Sequence, residues 1–142
     1  MDHVVYLDAK TGEMAELLSG EKSMIIQGAV GRRMPCGKVG TGDVLYFINN
    51  NGEGIVRARG KATNVVNSKK ISRREESVDF ILRHQDKLQL YNGQLKRWAG
   101  KRYLVLIEVS DVEDVAPFKI DKSAYRRTDS WLPVGNIEII KR

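Results

Sequence analysis

The feature that most constrains the fold is an alternating pattern over residues 55 to 65. One set of alternate positions is mostly cationic and consists of Ile55, Arg57, Arg59, Lys61, Thr63 and Val65. The positions between them are small or apolar and consist of Val56, Ala58, Gly60 and Ala62. A period of two puts alternate side chains on opposite faces of a strand, whereas a helix repeats every 3.6 residues. The pattern predicts a strand whose cationic face is solvent-exposed, with a track for phosphates as the alternative.

The rest of the chain alternates short strands with two helices. Further strands are predicted at residues 3–7, 22–27, 44–48, 103–109 and, closing the sheet, 136–140. Strands that follow one another are expected to form adjacent hairpins, and the nearly continuous apolar run at 103–109 is expected to be buried on both faces. Thr11 is expected to cap a first helix that ends at Gly20, and Ser72 to open a capping box for a long helix reaching about Leu90.

Length and composition favour one domain spanning residues 1 to 142. With 142 residues and 42% hydrophobic content, the chain suffices for one core and is short for two. Its longest apolar segment, residues 103–109, is far too short to cross a bilayer, and the N-terminus lacks the features of a signal peptide. We therefore expect a cytoplasmic protein without a membrane partner.

The cysteine and histidine content bears on disulfides and metals. The single cysteine, Cys36, cannot form a disulfide within the chain, and the two histidines lie far apart in sequence. This leaves no recognisable metal-ligand spacing. We expect neither a metal site nor a cofactor.

The cations are concentrated in three blocks. The net charge is +6, but residues 54–74 hold seven cations and no acid, residues 83–102 six cations and one acid, and residues 119–127 four cations and one acid. Clustered positive charge attracts polyanions. Three such blocks in one small chain favour nucleic acid as the partner.

A glycine-rich connection runs from Gly28 to Gly42. It is longer than most connections in compact domains, which favours a function. Its glycines allow close approach to a ligand, and Arg32, Arg33 and Lys38 are placed to neutralise phosphates. The alternative is a structural connection whose arginines are solvated.

Three short motifs bear on the family: Gly20-Glu21-Lys22, Gly42-Asp43-Val44-Leu45-Tyr46-Phe47 and Gly54-Ile55-Val56. With the β-α-β opening, they resemble the PUA-like superfamily, in particular its ASCH and EVE branches, over residues 3 to 140. The resemblance implies an α+β fold with a partly open β-barrel of five or six strands flanked by two or more helices. It also implies a cleft beside the barrel that commonly receives RNA or a nucleobase, sometimes a modified one.

The ASCH motif itself is half present. Its pattern is Gly-x-Lys-x-x-Glu-x-Arg, and the chain matches at Gly20 and Lys22 but has Ile25 and Gln27 at the acidic and arginine positions. Some small ASCH-like proteins resemble amidohydrolases for acylated nucleosides, in which a lysine and a nearby hydroxyl residue react. Only Lys22 carries over, because Ser23 points to the opposite face of an extended strand. An amidohydrolase that uses Lys22 is the alternative, and we expect that the protein is not an enzyme.

Aromatic residues decide whether bases are bound as well as phosphates. Trp98 lies among four cations within seven residues, which suits base stacking, yet it precedes a buried strand and is expected in the core. Trp131 and Tyr125 are interpreted as lids over the cleft. Tyr46 is expected to face the cleft from its strand.

The sequence thus predicts an RNA-binding module that holds a nucleotide of a single strand, unmodified or modified, in a basic cleft. The cleft would be formed by the 28–42 connection, Lys22 and residues 119–127. The predicted nucleic-acid-binding residues are Lys22, Ser23, Gly28, Arg32, Arg33, Lys38, Tyr46, Lys119, Lys122, Tyr125, Arg127 and Trp131. A third class, a protein-interaction module, would use the acidic stretch at 103–116.

Overall fold

The computed structural model describes residues 1–29 and 39–142. The strands are β1 (Asp2–Leu7), β2 (Met24–Ala29), β3 (Val44–Asn49), β4 (Ile55–Asn67), β5 (Tyr103–Lys119) and β6 (Trp131–Gly135). The helices are α1 (Glu13–Ser19), α2 (Arg74–Leu82), α3 (Gln85–Leu88) and α4 (Asn92–Trp98), and a 3-10 turn follows at Ile137–Ile139. Within the described residues, no helix is both long enough and apolar enough to span a bilayer.

Across the described residues, six strands form one sheet in the order β2-β5-β4-β3-β1-β6, which curls into a partly open barrel. β1 pairs with β3 in parallel, and all other neighbours are antiparallel. The predicted hairpin of β3 and β4 is confirmed, but β2 pairs with β5 and not with β3. The sequence between β2 and β3 is too long for a tight hairpin turn, so it does not impose their pairing.

Strand β5 forms the centre of the core. Leu104 and Leu106 pack with β2, α2 and α3, whereas Val105 and Ile107 pack with β1, β3 and α1. All four side chains are at most 3% exposed. The prediction of a strand buried on both faces is confirmed, and double burial explains why this run does not alternate.

Strand β4 shows the predicted alternation. Val56 and Ala58 are fully buried, while Arg59 on the other face is exposed. The buried face requires small residues, because a Cβ atom at Gly60 would lie 3.2 Å from Phe47 Cε2. The expectation of a solvent-exposed cationic face is confirmed.

The helical region differs from the prediction. The N-cap residue of α2 is Arg73 in an extended conformation, so the predicted capping box at Ser72 is wrong. The single helix predicted to reach Leu90 is also wrong, because the chain turns between α2 and α3. The turn brings Ile81 and Leu88, both fully buried, into one cluster against β5, a gain in burial that outweighs helix continuity.

Two further boundaries need correction. The N-cap of α1 is Gly12 rather than Thr11, since its φ of 71° is a left-handed conformation that favours glycine. Gly20 ends the helix with a φ of 84°, as predicted. The closing strand is β6 rather than 136–140, because the Asn136 side chain caps the 3-10 turn that occupies those positions.

Candidate functional site

A cavity of about 570 Å³ opens between the barrel and α4. Its walls come from β1, β2, the start of α1, the connection between β3 and β4, Leu90, α4 and residues 120–130, hereafter the cover segment. The apolar and aromatic lining includes Val5, Tyr6, Ile25, Ile26, Leu90 and Trp98. The polar lining includes Asp8, Glu13, Gln27, Gln94, Arg97, Lys122, Arg127, Asp129 and Ser130. The cavity is therefore mixed in charge and not simply basic.

Two aromatic rings line the cavity, and each lies beside a cation. The Arg97 guanidinium lies 4.8 Å from the centre of the Trp98 ring, and the Lys122 ammonium lies 4.5 Å from the centre of the Tyr6 ring. Both distances allow cation–π attraction. Burial raises the pKa of the Tyr6 phenol, so the ring is uncharged at neutral pH. The cavity thus presents two neutral aromatic surfaces next to positive charge.

Lys122 organises the cover segment. Its ammonium donates to the carbonyl oxygens of Arg127 at 3.0 Å and Asp129 at 3.1 Å. The backbone amide of Tyr6 donates to the carbonyl of Ser130 at 3.0 Å, which ties the segment to β1. Lys122 lines the cavity, but two of its three N–H donors are used within the cover segment. Its main role is therefore to shape the site.

Side-chain amides supply hydrogen-bonding groups. The Ser130 hydroxyl donates to Gln27 Oε1 at 3.4 Å, and among the described residues the Gln27 NH2 group has no acceptor. By contrast, Gln94 Nε2 donates to Asp8 Oδ2 and Thr11 Oγ1, each at 3.3 Å. Among the described residues, Gln27 therefore has amide hydrogens available to a ligand. In the part of the chain that the structure describes, no cluster of three or more His, Cys, Asp or Glu side chains could hold a metal ion.

Lys22 lies beneath the cavity rather than in it. Its side chain is fully buried, and its ammonium contacts Glu13 Oε2 at 2.9 Å and donates to the Leu88 carbonyl at 2.7 Å. Glu13, which lines the cavity, accepts the amide of Asp8 through Oε1 at 2.9 Å. The pair joins α1, α3 and the end of β1. The predicted contact of Lys22 with a ligand gains no support from this buried position.

Neither predicted lid covers the cavity. Trp131 is 2% exposed, and its indole N–H donates to His3 Nδ1 at 2.9 Å. The hydroxyl of Tyr125 donates to the Pro133 carbonyl at 3.0 Å, and its ring packs against a core cluster. The two rings are packed in and against the core at the β6 side of the barrel, so their positions give no support to a role as lids.

The remaining predicted residues are dispersed. Tyr46 packs against the core cluster next to β6, while Ser23 and Lys119 do not line the cavity. Gly28 is needed for packing, because a Cβ atom there would lie 2.9 Å from Leu104 Cδ2. The predictions for Tyr46, Ser23, Gly28 and Lys119 therefore do not coincide with the cavity. Arg127 lines the cavity, and Arg32, Arg33 and Lys38 lie outside the described residues.

A buried network holds Trp131 in place. His3 is fully buried, and its Nε2 lies 2.8 Å from Asp43 Oδ2 while its Nδ1 accepts the indole N–H. An indole nitrogen only donates, so Nε2 carries the imidazole proton and donates it to Asp43. Burial alone would raise the pKa of Asp43, but hydrogen bonds from His3, the Gly40 amide and the N-terminus lower it.

Sequence reasoning missed most of the cavity lining. Trp98 is only partly buried and lines the cavity, so the expectation that it is a core residue is incomplete. The four cations around Trp98 were the signal for its site role. No pattern in the sequence marks Tyr6 or Ser130.

Comparison with solved structures identifies the fold. The crystal structure of an ASCH protein from Zymomonas mobilis is 13% identical, has a TM-score of 0.67, and covers 94% of this chain and 87% of that chain. Two mutants of that organism's ASCH protein give TM-scores of 0.69, with 13% and 12% identity, 97% coverage of this chain, and 93% and 91% of theirs. No family model and no curated protein sequence matches the chain. The predicted fold, a partly open barrel flanked by helices, is confirmed by its likeness to these ASCH structures, and at this identity the likeness concerns the fold alone.

Proposed function

We propose that this protein binds single-stranded RNA and holds one nucleotide, unmodified or modified, in the cavity between the barrel and α4. The observation that carries the proposal is the pair of aromatic–cation contacts, at Trp98 and Tyr6, that line a space of about 570 Å³. RNA-binding proteins stack unpaired bases on aromatic rings or arginine planes and hydrogen-bond the base edges. The cavity supplies groups of each kind.

The size and polarity of the cavity suit a nucleotide. Ligand pockets usually enclose about 300–1,000 Å³ and combine apolar walls with a few placed polar groups. Here Val5 and Ile25 contribute to the apolar wall, and the Gln27 amide offers donors to a base edge. Arg97 and Arg127 are exposed, and within the described residues neither forms an ion pair with a carboxylate. Their charges are therefore available to phosphates.

A single strand is the expected form of the ligand. A base can enter such a cavity only after it leaves its stack, which costs a few kcal/mol in a duplex and less in a single strand. The PUA-like fold adds support, because the resemblance implies a cleft beside the barrel that commonly receives RNA or a nucleobase. We therefore expect binding to weaken as oligonucleotides are made double-stranded.

The two alternative functions gain no support from the described residues. An amidohydrolase would need Lys22 within reach of a substrate, but its ammonium is buried against Glu13 and the Leu88 carbonyl. A protein-interaction surface would need the acidic stretch to be unengaged, but β5 pairs with β4 along it, and Glu113 pairs with Arg59 at 2.7 Å. We put forward no second function.

Intrinsic tryptophan fluorescence tests the proposal, because the two tryptophans lie in different places. Trp98 lines the cavity, whereas Trp131 is buried beside His3. Titration with ribonucleoside monophosphates should quench Trp98 as a base stacks on it. In the Trp98→Phe variant the quench should disappear, while Trp131 continues to report an intact core. An equal quench in the variant, or no quench with any nucleotide or RNA oligomer, would contradict the proposal.

A further inference from the structure

A second cleft, strongly basic, lies outside the cavity. It encloses about 320 Å³ and is lined by residues 70–74, Gly100 and Arg102. We call it the basic cleft. Within the described residues, its lining holds four cations, Lys70, Arg73, Arg74 and Arg102, and no acid. In the described part of the chain, the one ion pair formed by any of these cations joins Arg73 to Glu76 at 3.3 Å. Such unneutralised charge around a concave space indicates a binding site for a polyanion.

The basic cleft is built into the fold. The amide of Ile71 donates to the Arg102 carbonyl at 2.7 Å, and the amide of Gly100 donates to Ser77 Oγ at 2.8 Å. Gly100 has a φ of 89°, which favours glycine and lets the chain turn sharply after α4. The two sides of the cleft are therefore held in place by hydrogen bonds from backbone amides and not only by long, mobile side chains.

The basic cleft adjoins the cavity through one short piece of chain. Arg97 and Trp98 line the cavity, and Gly100 and Arg102 line the basic cleft. Since Gly100 is two residues after Trp98, their Cα atoms lie within about 7 Å of each other. The two sites are therefore adjacent along the chain.

We infer that the basic cleft binds the phosphodiester backbone of the strand whose base occupies the cavity. This inference rests on the proposed function and adds a path along which several consecutive nucleotides are held. Phosphate contacts position a strand without reading its sequence. That role fits a described lining of cations, small residues and one aliphatic side chain, with no aromatic ring for a base. The cavity selects the nucleotide, and the basic cleft adds affinity for the strand.

A length series separates the two sites. Fluorescently labelled RNA and DNA single strands of about one, two, four and eight nucleotides are titrated against the wild type and the triple variant Lys70→Gln/Arg73→Gln/Arg102→Gln. Affinity for the mononucleotide should be unchanged. Affinity for the octamer should fall on the order of 10- to 100-fold at roughly 0.1 M salt, with the log–log salt slope reduced by about 0.7 for each phosphate that the variant no longer binds. An equal fall with RNA and DNA supports backbone binding, whereas a fall confined to RNA would overturn it in favour of ribose hydroxyl contacts.

A matched control removes the same charge from β4 in the variant Arg57→Gln/Arg59→Gln/Lys61→Gln, which should bind the octamer like the wild type. The single variant Lys70→Gln changes one exposed residue and should show a smaller loss of affinity for the octamer. Thermal unfolding of this variant and of the triple variant checks that both remain folded. If the triple variant binds the octamer with wild-type affinity and mononucleotides still bind, the inference is overturned and the proposed function stands. If Trp98→Ala leaves the affinity for every oligonucleotide length unchanged, both the proposed function and the continuous path are overturned.

Discussion

The outer face of β4 and the cavity both carry cations but place them in different surroundings. On β4 the arginines pair with acids, as Arg59 does with Glu113 at 2.7 Å. At the cavity, Arg97 and Lys122 lie against aromatic rings. The two arginines of the first region are paired with carboxylates, whereas the cations of the second region lie next to stacking surfaces.

The contrast teaches that a basic block in sequence does not by itself locate a site for an anion. Arg59 and Glu113 are 54 residues apart, so the sequence block around Arg59 gives no sign that its charge is neutralised. Concave shape and the identity of the partners decide which cations face a ligand. Three substitution pairs test the contrast, each with one member at or beneath the cavity and one on β3 or β4, and a fourth pair compares two carboxyls.

The largest expected effect comes from the ion pair beneath the cavity. Lys22→Met leaves Glu13 buried without its partner and should lower the free energy of unfolding by about 3–5 kcal/mol. Arg59→Met breaks an exposed pair on β4 and should cost less than about 1 kcal/mol. Urea denaturation followed by circular dichroism measures both. Equal losses in the free energy of unfolding would contradict the distinction between a buried and an exposed ion pair.

The second effect concerns stacking. Trp98→Ala should weaken the binding of a single-stranded RNA octamer by about 1–3 kcal/mol, or roughly 5- to 150-fold. Tyr46→Ala removes an aromatic ring outside the cavity and should leave the affinity unchanged. Fluorescence anisotropy at constant salt provides the measurement. Comparable losses in the two variants would show that bases are not held specifically at Trp98.

The third effect concerns phosphate binding at the cavity. Arg127→Gln should reduce the slope of log affinity against log salt by about 0.7, the value for one phosphate of a single strand. Arg57→Gln removes the same charge from β4, where Glu53 already pairs with it at 2.7 Å, and should leave the slope unchanged. Anisotropy titrations at several salt concentrations distinguish them. A reduced slope for Arg57→Gln and an unchanged slope for Arg127→Gln would indicate that the strand binds on β4.

The smallest effect is a pH dependence. Burial alone would raise the pKa of Asp43, but hydrogen bonds from His3 and the Gly40 amide lower it, and a hydrogen bond from Arg57 lowers the pKa of Glu53. A carboxyl whose folded pKa is lowered stabilises the protein above its unfolded pKa of about 4, and this stability is lost as pH falls through the folded value. Asp43→Asn and Glu53→Gln should therefore each lessen the stability lost on acidification.

Salt separates these two carboxyls. About 1 M NaCl should suppress the Glu53 contribution, because it depends on a partly exposed ion pair, and leave most of the Asp43 contribution, which depends on a buried network. Urea midpoints at pH 7 and pH 3, each at low and high salt, give the comparison. Identical salt sensitivity in the two variants would argue against the buried network.

The sequence predicted the fold where burial imposes a pattern. The alternation in β4 and the apolar run in β5 are properties of the strands themselves, so both predictions are confirmed. The break between α2 and α3 was not predictable, because α3 spans only four residues and exists to bring Leu88 into the core. Pairing of β2 with β5 likewise depends on long-range packing that no local pattern contains.

The site was less predictable because its residues come from distant segments. Tyr6, Gln27 and Ser130 meet only after β1, β2 and the cover segment are assembled. In sequence, Lys22 follows a glycine and an acid, a context that does not indicate a buried cation. Its burial depends on Glu13 and on the carbonyl of Leu88 in α3. Arg127 was identified because it belongs to a basic block that the fold happens to place at the cavity.

The central claim is that RNA binds at the cavity and not on the cationic face of β4. Photo-crosslinking of a single-stranded octamer containing thiouridine, followed by mass spectrometric mapping of modified peptides, tests this claim most directly. The account predicts cross-links at Trp98, Tyr6 and the cover segment, with residues 57–63 unmodified. Cross-links concentrated at residues 57–63, with the cavity peptides unmodified, would contradict it and identify β4 as the track for phosphates.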